Sequence, residues 1–84
     1  MENELMLFEN PAFGKVRIVH VNRQTWFIGK DVCHIFGDKN HNRSLSRVDD
    51  EDKMTVTLGT RGGRQNMTAV NESGVYTLLL NMRP

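Results

Sequence analysis

The order of apolar residues predicts an α+β domain, two β-hairpins packed around about three short helices. Three stretches carry that expectation. Lys15 to Val21, KVRIVHV, alternates, with Val16, Ile18 and His20 on one face and Lys15, Arg17, Val19 and Val21 on the other. Trp26 to Gly37, WFIGKDVCHIFG, closes a strand, opens a helix and stops it, and it is the expected hub of the core. Met54 to Thr60, MTVTLGT, alternates again and returns across Arg61-Gly62-Gly63-Arg64 through a weaker strand, Gln65 to Val70.

Taken from the start, Met1 to Phe8 carries Leu5, Leu7 and Phe8 among acids and is expected as an edge strand, with Asn10-Pro11 marking a turn and Gly14 a break. Asn22-Arg23-Gln24 turns the alternating strand into Thr25 to Ile28, whose aromatic and branched residues suit a pleated surface. Gly29 ends that run. Asp31 falls in the first helical turn, where a carboxylate meets the positive end of the helix dipole. Ile28, Val32, Ile35 and Phe36 have the spacing of one apolar helix face, and Gly37 stands where a left-handed cap is usually glycine. Asp38 to Asn42 is polar throughout and reads as a loop, with Asn42 capping a short helix from Arg43 to Val48. Leu45 and Val48 face that helix inward, and Arg43 and Arg47 share another side one turn apart. Asp49 to Lys53 is a charged connection. Asn71 or Ser73 caps a last helix with Glu72 in its first turn and Val75, Leu78, Leu79 and Met82 as its apolar face.

Composition bounds the function more by exclusion. With 84 residues there is room for one domain near the small end of what folds alone. The net charge of +1 and the pI near 8.0 give no global sign of a nucleic-acid partner, so that case rests on where the arginines lie. A single cysteine, Cys33, excludes an internal disulfide and points to a reducing compartment. It reads as a small buried hydrophobe rather than a reactive thiol. No apolar run reaches the length of a membrane span, and the acidic start MENELMLFEN lacks the basic and apolar regions of a signal peptide, so a cytoplasmic protein is expected. A leucine-rich last helix running into Arg83-Pro84 with no polar tail is expected of a fragment of a longer protein.

Candidate chemistry concentrates in two places. A helix, a connection containing Gly37 and a second helix carrying Arg43, Ser44 and Arg47 have the outline of a helix-turn-helix, and the hairpin with Arg61 and Arg64 at its tip would sit like the wing of a winged helix. Arginine can read guanine edges, serine can contact phosphate or base, and cations beside glycines can approach a phosphate backbone closely. The plainer alternative is a solvated polar helix and a solvated hairpin tip, and spacing alone favours it. Arg61 to Arg64 is no P-loop, since it lacks that motif's glycine spacing and its Lys-Ser/Thr end. His20, Cys33, His34 and His41 have no ligand spacing for a structural metal, and no nucleophile-base pair stands out, so no cofactor and no enzyme activity are expected.

Several separated blocks, in order, resemble one family. The start FENPAFGKVRIV, the run WFIGKDVCHIFG, the SLSRVDDEDK after it and GGRQNMTAVNESGVYTLLL are similar to the N-terminal domain of the BRO family, found in baculovirus repeated proteins and in phage and prophage antirepressors. The resemblance implies an α+β DNA-binding domain over residues 1–84, joined in longer proteins to a variable C-terminal domain. It also implies a role in transcriptional regulation in a bacterial host, with no catalytic residues to carry over. The family pattern continues past the last helix with a basic stretch and an F-x-x-W-V block, which this chain does not contain. Its motif positions here are Trp26, Phe27, Lys30, Asp31, Val32, Cys33, Gly37, Leu45, Asn71, Glu72, Ser73 and Gly74, most of them structural in kind.

The resulting expectation is DNA binding as the N-terminal module of a phage-type antirepressor. Arg61, Arg64 and Lys39 would anchor phosphates, with Arg43, Ser44 and Arg47 as base readers. The competing class is a protein-binding module that occupies a phage repressor, which a near-neutral chain suits at least as well. An exposed apolar face on the last helix would instead drive a homodimer.

Overall fold

The computed structural model describes residues 4–10 and 14–81, with side chains from Gly14 to Asn81. Strands β1 (Glu4–Asn10), β2 (Gly14–Val21) and β3 (Gln24–Ile28) run into helices α1 (Gly29–Ile35) and α2 (His41–Ser46). A single 3-10 turn (Asp50–Asp52), the hairpin β4 (Lys53–Thr60) and β5 (Gly63–Val70), and helix α3 (Glu72–Asn81) complete the chain. The strands form one antiparallel five-stranded sheet in the order β1-β2-β3-β5-β4, so the α+β expectation holds. The first strand is indeed at an edge; Met1 to Asn3, the turn at Pro11, and Met82 to Pro84 lie outside the described residues. A helix pair followed by a hairpin is present in chain order, but the hairpin is no separate wing: its strands β5 and β4 continue one sheet with β1, β2 and β3.

The β2–β3 turn is made by Asn22 and Arg23 at φ 52° and 67°, the positive pair that matches the right-handed twist of the strands it joins. Gln24 already pairs with Val21, one residue earlier than the sequence suggests. At the other tip the strands close around Arg61 and Gly62, and the left-handed residue is Gly63 at φ 104°.

Each face of the sheet carries a buried cluster. Val16 and Val70, with Ile18 and Phe27 half-buried beside them, meet Val32 and Cys33 of α1, Leu45 of α2, Val48, and Leu78 of α3. On the opposite face Val19, Trp26 and Ile28 pack with Val56, Leu58 and Ala69, and no helix residue belongs to that cluster. The two halves of the sheet meet only through Phe27↔Val70 and Ile28↔Ala69. Such a narrow join lets β2–β3 and β4–β5 supply the second cluster from both sides.

Two expectations about α1 are corrected here. Ile28 is the last strand residue and points to the far face of the sheet, while Phe36 is 38% exposed. The inward face is Gly29, Val32 and Cys33, with Ile35 half-buried against the same core, because the helix starts at Gly29 and ends at Ile35, leaving Phe36 as its cap. Gly37 ends it as expected: at φ 78° it donates to the His34 carbonyl (3.0 Å), and the Asp38 amide donates to Cys33 (2.9 Å). Asp31 has a second task besides the dipole. Pairing of β2 with β3 ends at Ile18↔Phe27, and the next amide of β2, Arg17, donates to Asp31 Oδ2 at 2.9 Å. The Arg17 guanidinium grips the same carboxylate through Nε (2.8 Å) and Nη2 (2.9 Å), so Asp31 takes over where the ladder stops and ties α1 to β2.

Candidate nucleic-acid interface

Helix α2 begins two residues earlier than the sequence suggests, because the polar loop caps itself. Asn40, not Asn42, is the cap, its Oδ1 accepting from the Arg43 amide at 3.4 Å. Asp38 Oδ1 accepts from the Asn40 amide at 2.9 Å, and the Ser44 hydroxyl donates to Asp38 Oδ2. Those bonds, Ser44 first and the Asn40 amide second, hold the Asp38 carboxyl below the ordinary range. At the other end the Leu45 carbonyl accepts twice, from the Val48 amide (3.1 Å) and from Lys53 Nζ (3.1 Å), which ties the last turn to β4. Val48 lies past the helix and is buried.

The expected site residues therefore fall into separate places. Arg43 and Arg47 are exposed on α2, Arg47 as its C-terminal cap and near enough to Asp38 to act on its charge. Ser44 is half-buried, and its hydroxyl proton is committed to Asp38, leaving the oxygen to act as an acceptor only. Lys39 is exposed in the loop between α1 and α2. Arg61 and Arg64 are exposed at the β4–β5 hairpin tip.

The structure adds cations that sequence reasoning did not single out as binding residues. A cleft of about 570 Å³ between the start of β2, helix α1 and the α1–α2 loop is lined by Lys15, Lys30, Lys39, His34 and His41. Its carboxylates are Asp31, held by Arg17, and Asp38, held by Ser44 and the Asn40 amide. A second hollow of about 240 Å³ separates α2 from β5, between His41, Asn42 and Leu45 on one side and Gln65 to Thr68 on the other, with Lys30 at its border. One sign was present in the chain: Lys30 and His34 are one helical turn apart. Lys15 and Lys39 join them only through the fold.

Cys33 is fully buried, and burial first, with the Asp38 charge second, pushes its thiol up to about 11. That is a packing residue, not a nucleophile. Among the described residues no group of three or more His, Cys, Asp and Glu could hold a metal ion, and no helix is long and apolar enough to cross a membrane.

Fold and surface together define a small α+β binding module that offers cations from a helix, a loop and a hairpin tip. The chain belongs to the BRO family: it matches the BRO family, N-terminal domain, over residues 15–84. This domain is associated with DNA-binding proteins of the antirepressor type, a regulatory class not known for catalysis. An uncharacterized protein of Haemophilus influenzae is 36% identical over 59 residues, which cover 69% of this chain and 29% of that relative's length. No solved structure matches the chain.

Proposed function

We propose that this chain is the DNA-binding N-terminal module of a longer, phage-type antirepressor acting in the cytoplasm of a bacterial host. Membership of the BRO family carries the reading, and exposed arginines and lysines support it. Lys39, Arg61 and Arg64 would anchor phosphates, while Arg43 and Arg47, with Ser44 as an acceptor, would meet base edges. A net charge of +1 makes this local recognition by patches rather than attraction by the whole molecule.

The test is fluorescence anisotropy with a labelled mixed-sequence duplex over a range of salt. Changing Arg61 and Arg64 together to Ala should weaken binding to all sequences alike and flatten the log–log salt slope by about 1.8, since each phosphate contact contributes about 0.9. Unchanged affinity and slope would remove the hairpin tip from the interface.

A second reading, a module that binds a repressor protein, is favoured by one observation. Tyr76, Leu79 and Leu80 on α3 are 56%, 48% and 83% exposed, an apolar surface unlike the charged rims elsewhere. An interface built there would be nearly indifferent to salt, which separates it from DNA binding in the same titration.

A further inference from the structure

The lysine cleft and the hollow beside β5 share two residues, Lys30 and His41. The cleft and the hollow therefore adjoin at that pair, which forms the saddle between them. On one side of the saddle lie Lys15 and Lys39; on the other the hollow runs against β5. This part of β5 is unusual for an inner strand. Its pairing with β3 stops at Ala69, because the chain leaves β3 at Ile28 to begin α1, so among the described residues Arg64 to Thr68 have β4 on one side and no strand on the other. The main-chain amides and side chains of Asn66 and Thr68 thus border an open polar groove. By strand alternation Arg64 shares the face of Asn66 and Thr68, about 13 Å beyond Thr68 toward the tip.

The groove and the arginine pair of α2 look in different directions. At 100° per residue, Arg43 lies about 200° around the helix from His41, and Arg47 lies within about 40° of Arg43. His41, Asn42 and Leu45 line the hollow.

Resting on the reading of the domain as a DNA-binding module, we propose that the adjoining cleft and hollow are the track of one DNA strand's sugar–phosphate backbone. It runs from Lys15 and Lys39 over Lys30 and His41, then along the free edge of β5 to Arg64. Phosphates sit on Lys30 and Lys39, exposed lysines of the cleft, with Lys15 at its far end. Along β5, main-chain amides and Asn66 Nδ2, whose partner Oδ1 accepts from the Thr57 hydroxyl of β4 at 2.7 Å, take over as neutral donors to phosphate oxygens. The track joins Lys39 and the hairpin tip, which are far apart in sequence, into one contact surface without using Arg43 or Arg47.

Two exposed positions test it. Lys30→Ala removes the saddle cation, and Asn66→Lys adds one on the groove floor. Each variant is first checked for an unchanged amide spectrum, then measured with a mixed-sequence duplex across salt. The track requires Lys30→Ala to weaken binding several-fold with a slope shallower by about 0.9, and Asn66→Lys to tighten it with a slope steeper by a similar amount. If the unaltered domain binds duplex while both variants match it in affinity and slope, the track is wrong and DNA binding stands on another face. If the unaltered domain binds no DNA at low salt, the track falls together with the DNA reading. Amide shifts along Gln65 to Thr68 with a glutamate-rich peptide but not with DNA would equally overturn it, making the open edge a site for an added strand.

Discussion

Gly37 shows how much one residue's backbone can decide. It is left-handed at φ 78°, and a methyl group built on it would find nothing within 4 Å, so replacing it tests backbone conformation with no packing change. Gly37→Ala should lower stability by about 1–2 kcal/mol, the cost of holding an L-residue left-handed, as read by urea unfolding. Cys33 makes the opposite case, a side chain whose surroundings set its chemistry. The free thiol titrates near 9.0 and the folded one near about 11, so between those values the unfolded chain loses a proton that the folded chain keeps. Stability should therefore fall as pH rises from 9 to 11, seen as a lower unfolding midpoint at pH 10.5 than at pH 8, and thiol reagents at pH 8 should label Cys33 only with denaturant present. Both residues were legible in outline: Gly37 as a cap, Cys33 as core. The grip of Arg17 on Asp31 was not, because the strand-end vacancy that Asp31 fills exists only once β3 has turned into α1.

At the scale of elements, strands and hairpins were read nearly to the residue, since period-two alternation is unmistakable in Lys15–Val21 and Met54–Thr60. Short helices were read less well. Asn40 rather than Asn42 caps α2 because Asp38 accepts from its amide, a choice made by local geometry among three neighbouring polar residues. Helix α3 was placed correctly, with Asn71 as its cap: Asn71 Oδ1 accepts from the Gly74 amide at 2.9 Å. Asn71 also clamps the 3-10 turn, donating through Nδ2 to Asp52 Oδ1 (3.1 Å) and through its amide to the Asp52 carbonyl (3.0 Å). Asn71→Ala should cost about 1–2 kcal/mol. Asn71→Asp, usually a neutral exchange of caps, should also cost about 1 kcal/mol, because it replaces the donor to Asp52 with a second carboxylate. Thermal unfolding of the two variants side by side separates capping from clamping. Gly74 is needed here for space, since a Cβ would lie 2.8 Å from Val70 Cβ and 3.0 Å from the Asp52 carbonyl.

At the scale of the whole molecule the surface is divided. The arginines of α2, the lysine cleft with the β5 groove, and the apolar side of α3 are separate regions of an 84-residue chain. A docked partner on α3 is expected to leave the salt dependence of DNA binding unchanged. Measuring DNA affinity for Leu80→Ser checks this: the slope and affinity should match the unaltered chain, because Leu80 is 83% exposed and carries no charge. Of the six residues assigned to DNA from sequence, Lys39 lies in the cleft and Arg64 on the groove's own strand face, whereas Arg43 and Arg47 lie away from it.

The sequence by itself determined the α+β class, both hairpins, the glycine that ends α1, the place of α3 and the family, because each of these is written in neighbouring residues or in blocks that keep their order, while the choice of Asn71 over Ser73 as the cap of α3 came from the structure. The tertiary structure decided which cations stand together and where the sheet lies open. Lys15, Lys30, Lys39 and Arg64 belong to four different elements or loops, and no local pattern links them. The fold brings Lys15, Lys30 and Lys39 to one cleft, and the early departure of β3 from the sheet leaves the edge of β5 without a strand neighbour among the described residues.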